Sequence, residues 1–179
     1  MLRNHVTFYL LAVFLLTGCD GNTPLMKEVL DENVEGTQQI LAQGADINAR
    51  NNYGWSALMH AARLGSNELT RILLEHGADI NARDEAGWTA LIRAALQGNT
   101  ETVKILIEHN ADINLLESSN SNALFWAAHR GHAEVVKLLL AAGADYTQVN
   151  SSGWTPMMAA SSGGHNDIVQ VLRAAGARQ

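Results

Sequence analysis

The chain predicts an all-α solenoid of helix-turn-helix repeats joined by short hairpins, on three observations. The stretches GADINAR at 44–50, GADINAR at 77–83, NADINLL at 110–116 and GADYTQV at 143–149 recur every 33 residues. A second motif keeps the same register as Gly54-Trp55-Ser56, Gly87-Trp88-Thr89 and Gly153-Trp154-Thr155, with Asn120-Ser121-Asn122 where the missing copy falls. The composition is 47% hydrophobic and only 17% charged, which supplies a core and argues against disorder. Self-similarity at such a period marks stacked units, each covering its apolar face with its neighbours.

The N-terminal segment comes first. Arg3 provides a positive start, and Val6 to Leu16 is an apolar run of eleven residues. Such a run is too short to cross ~30 Å of hydrocarbon as a helix, but it suits the core of a signal peptide. Leu16-Thr17-Gly18-Cys19 resembles the bacterial lipobox, in which small residues let the peptidase reach the backbone and the thiol takes a diacylglyceryl group. That resemblance implies cleavage after residue 18, lipidation of Cys19 and a repeat domain over 19–179. It also implies a membrane anchor, since each buried methylene contributes ~0.8 kcal/mol. A cleaved signal with a chance cysteine is the simpler alternative. Cys19 is the only cysteine, and it falls where the box requires one. Asp20 resembles the enterobacterial-type signal for retention at the inner membrane, so the expected location is the periplasm, lipid-anchored. A single cysteine allows no intramolecular disulfide, which suits an oxidising compartment.

The formal charge is −6, and removing residues 1–18 deletes Arg3 and makes the remainder more acidic. An acidic chain repels phosphate backbones, so nucleic acid is excluded as a partner.

The repeats follow without insertion, near 20–50, 51–83, 84–116, 117–149 and 150–179. Thr23-Pro24-Leu25 stands opposite Ser56-Ala57-Leu58. In the second repeat the first helix is expected over Ala57 to Leu64, ending at Gly65, and the second over Asn67 to His76, ending at Gly77, where positive φ suits glycine. Asn110 takes the place of that glycine once, asparagine being the next residue to tolerate it. The first helices are thin (Ala61-Ala62, Ala94-Ala95, Ala127-Ala128), while the second carry bulk (Ile72-Leu73-Leu74, Ile105-Leu106-Ile107, Leu138-Leu139-Leu140). Glu28 and Gln39 replace apolar residues in the first repeat, and Ser161 and Arg173 do so in the last. Different columns turn polar at the two ends, as expected of an array of five repeats with solvated caps.

These motifs, T-P-L and G-A-D-I-N at a 33-residue period, resemble the ankyrin repeat over the whole of 20–179. One departure recurs: the histidine that follows T-P-L in the family is Met26, Met59, Ile92, Phe125 and Met158 here. Without its hydrogen bonds, the turns are expected to be held by packing. The resemblance implies a monomeric protein-binding module with no cofactor. It places partner contacts on the hairpin tips and on the exposed, concave side of the first helices. Carried over by position, the tips are Arg50, Asn52, Tyr53, Arg83, Glu85, Leu116, Ser118 and Ser119. The helix positions are His60, Arg63, Arg93, Trp126, His129 and Arg130, and Trp55, Trp88 and Trp154 lead into the first helices.

Tryptophan, tyrosine and arginine are the types enriched at binding hot spots. Trp55, Trp88 and Trp154 either contact a partner or prop the turns. Trp126 stands apart, since its column otherwise holds Lys27, His60, Arg93 and Ala159, so no structural rule demands a tryptophan. The fourth repeat is also irregular: Leu115-Leu116 replace Ala-Arg, and residues 118–122 lack the turn glycine. That combination marks either an apolar patch or drift in one hairpin.

Catalytic and metal chemistry find little support. His76 and His109 share one column and His132 and His165 another, with no accompanying cysteine or carboxylate cluster of metal-ligand spacing. Aspartates 46, 79, 112 and 145 form a repeated column of turn residues that bond local backbone. No phosphate loop and no nucleophile triad stand out, so no catalytic residue, metal or cofactor is expected. The expected function is a membrane-anchored periplasmic interaction module. Narrower alternatives are an immunity protein against a periplasm-delivered toxin and an accessory or protective partner of a periplasmic enzyme, with an enzyme in its own right the least favoured.

Overall fold

The computed structural model describes residues 20–177. The expected signal peptide over residues 1–18 and the expected lipidation site Cys19 lie outside the described residues. Among the described residues ten helices follow in pairs: α1 (Pro24–Leu30) with α2 (Val34–Ala42), α3 (Ala57–Leu64) with α4 (Asn67–Glu75), α5 (Ala90–Gln97) with α6 (Thr100–Glu108), α7 (Ala123–Arg130) with α8 (Ala133–Ala141), and α9 (Pro156–Ser162) with α10 (Asn166–Ala174). Each odd helix packs on its own partner and on the next odd helix, and the even helices stack likewise, giving two layers. Among the described residues no helix is long and apolar enough to cross a membrane.

The local reasons repeat with the sequence. Thr23, Ser56, Thr89, Asn122 and Thr155 cap the odd helices, each side-chain oxygen accepting the backbone N–H three residues on. Such a cap is worth ~1 kcal/mol relative to alanine. Helices α3, α5 and α7 end in left-handed Gly65, Gly98 and Gly131. Every even helix carries a carboxylate in its first turn, where the helix dipole favours it. Ser66, Asn99, His132 and His165 start the later even helices without a side-chain cap bond. Three of them reach the preceding repeat instead. The Asn99 Nδ2 donates to the Ala62 and Arg63 carbonyls (2.9 and 3.0 Å), and the imidazoles of His132 and His165 pair with the carbonyls of Leu96 and His129.

The core lies between the layers. Leu69, Leu73, Val103, Leu106, Val136 and Leu139 are wholly buried, and so are the alanine pairs at 61–62, 94–95 and 127–128. At the ends, Gln39, Ser161 and Arg173 are exposed and Glu28 is half-buried.

The connections carry no strand among the described residues, so the expected hairpins are turns. Each turn closes with two backbone bonds, such as Asn51 N–H to Trp55 O (3.0 Å) and Gly54 N–H to Asn51 O (2.9 Å), and touches its neighbour through one more, such as Ser118 N–H to Ala86 O (2.9 Å). A single bond per neighbour does not make a ladder. Packing alone does not hold these turns, contrary to expectation. The methionine column is buried from Met26 to Phe125, but the column Asn51, Asp84, Glu117, Asn150 adds a second support. The Asn51 amide oxygen accepts the Tyr53 and Trp55 N–H groups (3.0 Å each), and the other three side chains accept from the equivalent positions. Asn120, with φ 59°, supplies the left-handed residue that Gly54 supplies elsewhere. The aspartate column bonds local backbone as expected, Asp79 accepting from Asn81 N–H at 3.1 Å. The asparagine two residues on accepts from the next repeat, as in Asp112 N–H to Asn81 Oδ1 (2.8 Å).

Leu106 is wholly buried in the middle of the stack, and Leu41 is half-buried near its end. Leu106→Ala is expected to cost ~2–5 kcal/mol in chemical denaturation and Leu41→Ala distinctly less. Equal losses would contradict a linear stack.

Candidate functional site

The turns and the odd helices set their variable side chains side by side across neighbouring repeats. Trp55 and Trp88 precede the caps of α3 and α5, His60 and Arg63 project from α3, Arg93 from α5, and Trp126 and His129 from α7. At the centre is Arg93. Its guanidinium carbon lies 3.3 Å from the Trp55 ring centre and 5.5 Å from that of Trp88, and an Arg93 nitrogen is bonded to an Asp84 carboxylate oxygen. Arg63 approaches the same Trp55 ring at 5.7 Å. The Trp88 and Trp126 rings pack at 5.0 Å, tilted by 33°, and Trp126 meets Phe125 and His129 edge-on at 5.6 and 6.0 Å. One run of aromatic and cationic groups therefore crosses three repeats. Tyr53, Trp55, Trp88, Asp84, Glu85 and Arg93 line an open cleft of about 460 Å³ within it.

The sequence-derived residues divide into groups. Trp55, Arg63, Trp88 and Trp126 are half-buried in the run, Tyr53 stands 59% exposed at its edge, and His129 and Arg130 are exposed. Ser118 is exposed, and its hydroxyl donates to Glu117 (3.3 Å). Leu116 is half-buried, so the irregular turn offers less apolar surface than expected. Trp154 lies apart, lining a second recess with Met157 and Met158. Trp126 also packs against the core, so it supports structure as well as surface.

Two corrections follow. Arg93 and His60, expected on the exposed side of the first helices, are 9% and 6% exposed. Arg93 is spent on Asp84 and Trp55 because a guanidinium that close to two indole faces leaves water only if a carboxylate neutralises it. Arg50 and Arg83, expected at free tips, clamp the next turn: Arg50 donates to the Arg83 carbonyl, and Arg83 to that of Leu116 (2.6 Å). Sequence reasoning missed Asp84. Its signal was the pairing of types, since the repeat with arginine at the fourth position of its first helix also has aspartate at the turn.

Burial pulls the Arg93 guanidinium below the ordinary arginine value, and Asp84 pulls it back up. It stays charged at neutral pH. His60 sits 4.9 Å from the Trp55 ring. Burial, and then Arg63 and Arg93, lower its pKa from 6.5 to about 4, against an upward pull from Asp20. It is neutral at pH 7. Among the described residues no group of three or more His, Cys, Asp or Glu side chains could hold a metal ion.

The family described as "Ankyrin repeats (3 copies)" matches residues 3–84, 25–117, 83–150 and 110–179, and the chain belongs to it. Such repeats are in general non-catalytic scaffolds that bind other proteins. A 66-residue stretch is 36% identical to the mitochondrial disaggregase of Bos taurus, covering 34% of this chain. The chain spans about a tenth of that relative's length, 10%.

Because the unfolded chain protonates His60 near 6.5 and the folded one near 4, acid favours unfolding through this group. Its contribution to stability is complete above pH 6.5 and is lost as pH falls towards 4, by roughly 1–3 kcal/mol. Denaturant midpoints of wild type and His60→Gln should diverge over that window, since shared carboxylate effects cancel. Parallel pH profiles would refute the assignment.

Proposed function

We propose that the chain is a membrane-tethered periplasmic binding module: five ankyrin repeats that take another protein on the concave side, across the first helices and turns. The aromatic-cationic run from Tyr53 to His129 carries this reading. It crosses three repeats and is fixed by stacking and by the Asp84–Arg93 ion pair, so a partner meets groups already ordered. Binding to a pre-arranged surface avoids much of the side-chain ordering cost. Trp55, Trp88, Trp126, His129 and Arg130 form the centre, with Arg63, Tyr53, Leu116 and Ser118 beside them and Trp154 as a separate contact. Arg93 holds Trp55 and Trp88 in place. The mature domain works as a monomer, with no catalysis, metal or cofactor.

In this reading residues 1–18 are a signal peptide, Cys19 carries the lipid, and Asp20 keeps the protein at the inner membrane. The partner is a toxin to be masked or an enzyme to be assisted, and the neighbouring gene separates the two.

Trp126→Ala should weaken partner binding by at least ~2 kcal/mol in titration calorimetry. Trp88→Ala should act less through direct contact, though it also removes the stacking support of Trp126. Lys104 and Lys137, exposed on the even helices, should matter little when changed to Ala. All variants must first unfold at similar denaturant midpoints. Unchanged affinity for Trp126→Ala with losses for the lysine variants would overturn the face assignment. For the anchor, Cys19→Ser should shift the protein out of the membrane fraction and remove the acyl mass. Normal processing with the wild-type mass shift would rule out the lipobox.

A further inference from the structure

The charge of the two helix layers is uneven. The odd helices carry four cations (Lys27, Arg63, Arg93 and Arg130) against one carboxylate, Glu28, while the even helices carry seven carboxylates against four cations. The odd helices are thus the more cationic of the two layers, and they carry the aromatic run, with Asp84 and Glu85 in the adjoining turn.

On that side the donors converge at one place. Arg93 is neutralised by Asp84, but its buried Nε has no hydrogen-bond partner. Arg63 faces Trp55, its buried Nε is likewise unpartnered, and among the described residues no carboxylate is ion-paired with it. His60 is 94% buried by its 6% exposure, and neither ring nitrogen has a hydrogen-bond partner. The nearby carboxylate, Asp20, is occupied by the backbone and side-chain N–H groups of Asn22 at 3.1 and 2.7 Å. Buried N–H groups without acceptors are costly, and an entering acceptor removes that cost.

We infer that Arg63, His60 and the Nε edge of Arg93, gathered around Trp55, form a subsite for a carboxylate on an acidic segment of the protein partner. The inference rests on the binding-module reading and adds the chemistry of one contact. Arg63 supplies the uncompensated charge and a planar fork that matches a carboxylate. Trp55 holds both guanidinium groups in place, and neutral His60 supplies a further N–H. The charge imbalance between the layers draws the acidic segment to this side rather than to the even helices.

The probe is N-acetyl-hexaglutamate amide, added to the domain over residues 19–179 and to the full chain at constant ionic strength. Arginine Nε–H resonances and calorimetry are the readouts. Wild type should bind saturably with shifts at Arg63 and Arg93, and Arg63→Gln should bind at least tenfold more weakly. Lys104→Gln should stay within twofold of wild type. Arg63→Met, which keeps the aliphatic stem over Trp55, replaces the Gln variant if that one unfolds. Equal binding by wild type and the Arg63 variants, an equal response to a neutral Gly-Ser hexapeptide, or tighter binding of a single-stranded oligonucleotide would overturn the subsite. Such a failure leaves Trp126-dependent partner binding standing. Loss of the Trp126 effect with hexaglutamate still bound at Arg63 would overturn the module reading instead.

Discussion

Adjacent odd helices can approach closely only because alanine lines their contact, at 61–62, 94–95 and 127–128, all fully buried. Everything else depends on that spacing. A single helix pair has too little apolar surface to fold alone, so its leucines need the neighbouring pair to cover them. Close approach also brings polar groups of one repeat within reach of the next. The Asn99 amide reaches the α3 carbonyls, Arg83 reaches the Leu116 carbonyl, and Asn81 receives the Asp112 N–H. A larger residue in an alanine column would lengthen all these bonds together.

The same spacing shapes the variable surface. Side chains one repeat apart come to face each other, so residues far apart in sequence behave as one group. Trp55 and Arg93 belong to successive repeats, as do Trp88 and Trp126. The pairing fixes large side chains that would otherwise move freely, and it commits some apparent surface cations to internal work. Arg93 becomes a brace between two indoles, while Arg63, on the same ring, keeps its charge uncompensated. The arrangement of these groups is therefore a property of the junction between repeats rather than of any single repeat.

This explains how far the fold and the site could be read in advance. The 33-residue period located α3 at Ala57–Leu64, as the structure has it, and placed α4 within a residue, because caps and glycines are local signals. Asn110 in the left-handed conformation and the aspartate column were legible for the same reason. The fate of Arg50, Arg83, Arg93 and His60 was not legible, because residue type marks a position as variable but does not say which way a long side chain turns. For the three arginines that choice depends on a carbonyl or carboxylate 9 or 33 residues away, and for His60 on the Trp55 ring beside it. The turn column Asn51, Asp84, Glu117, Asn150 went unread, because its mixed residue types reveal their shared double acceptance of backbone N–H groups only once the turn geometry is known.

The central claim, that the odd-helix layer is the face that meets a protein partner, is tested most directly by site-specific photocrosslinking in intact cells. A benzoyl-phenylalanine at Arg130, exposed on α7, and another at Lys104, exposed on α6, sample the two layers of the same folded chain. The account predicts one discrete crosslinked protein from position 130 and none from position 104. The same partner crosslinked from position 104, with position 130 silent, would contradict it.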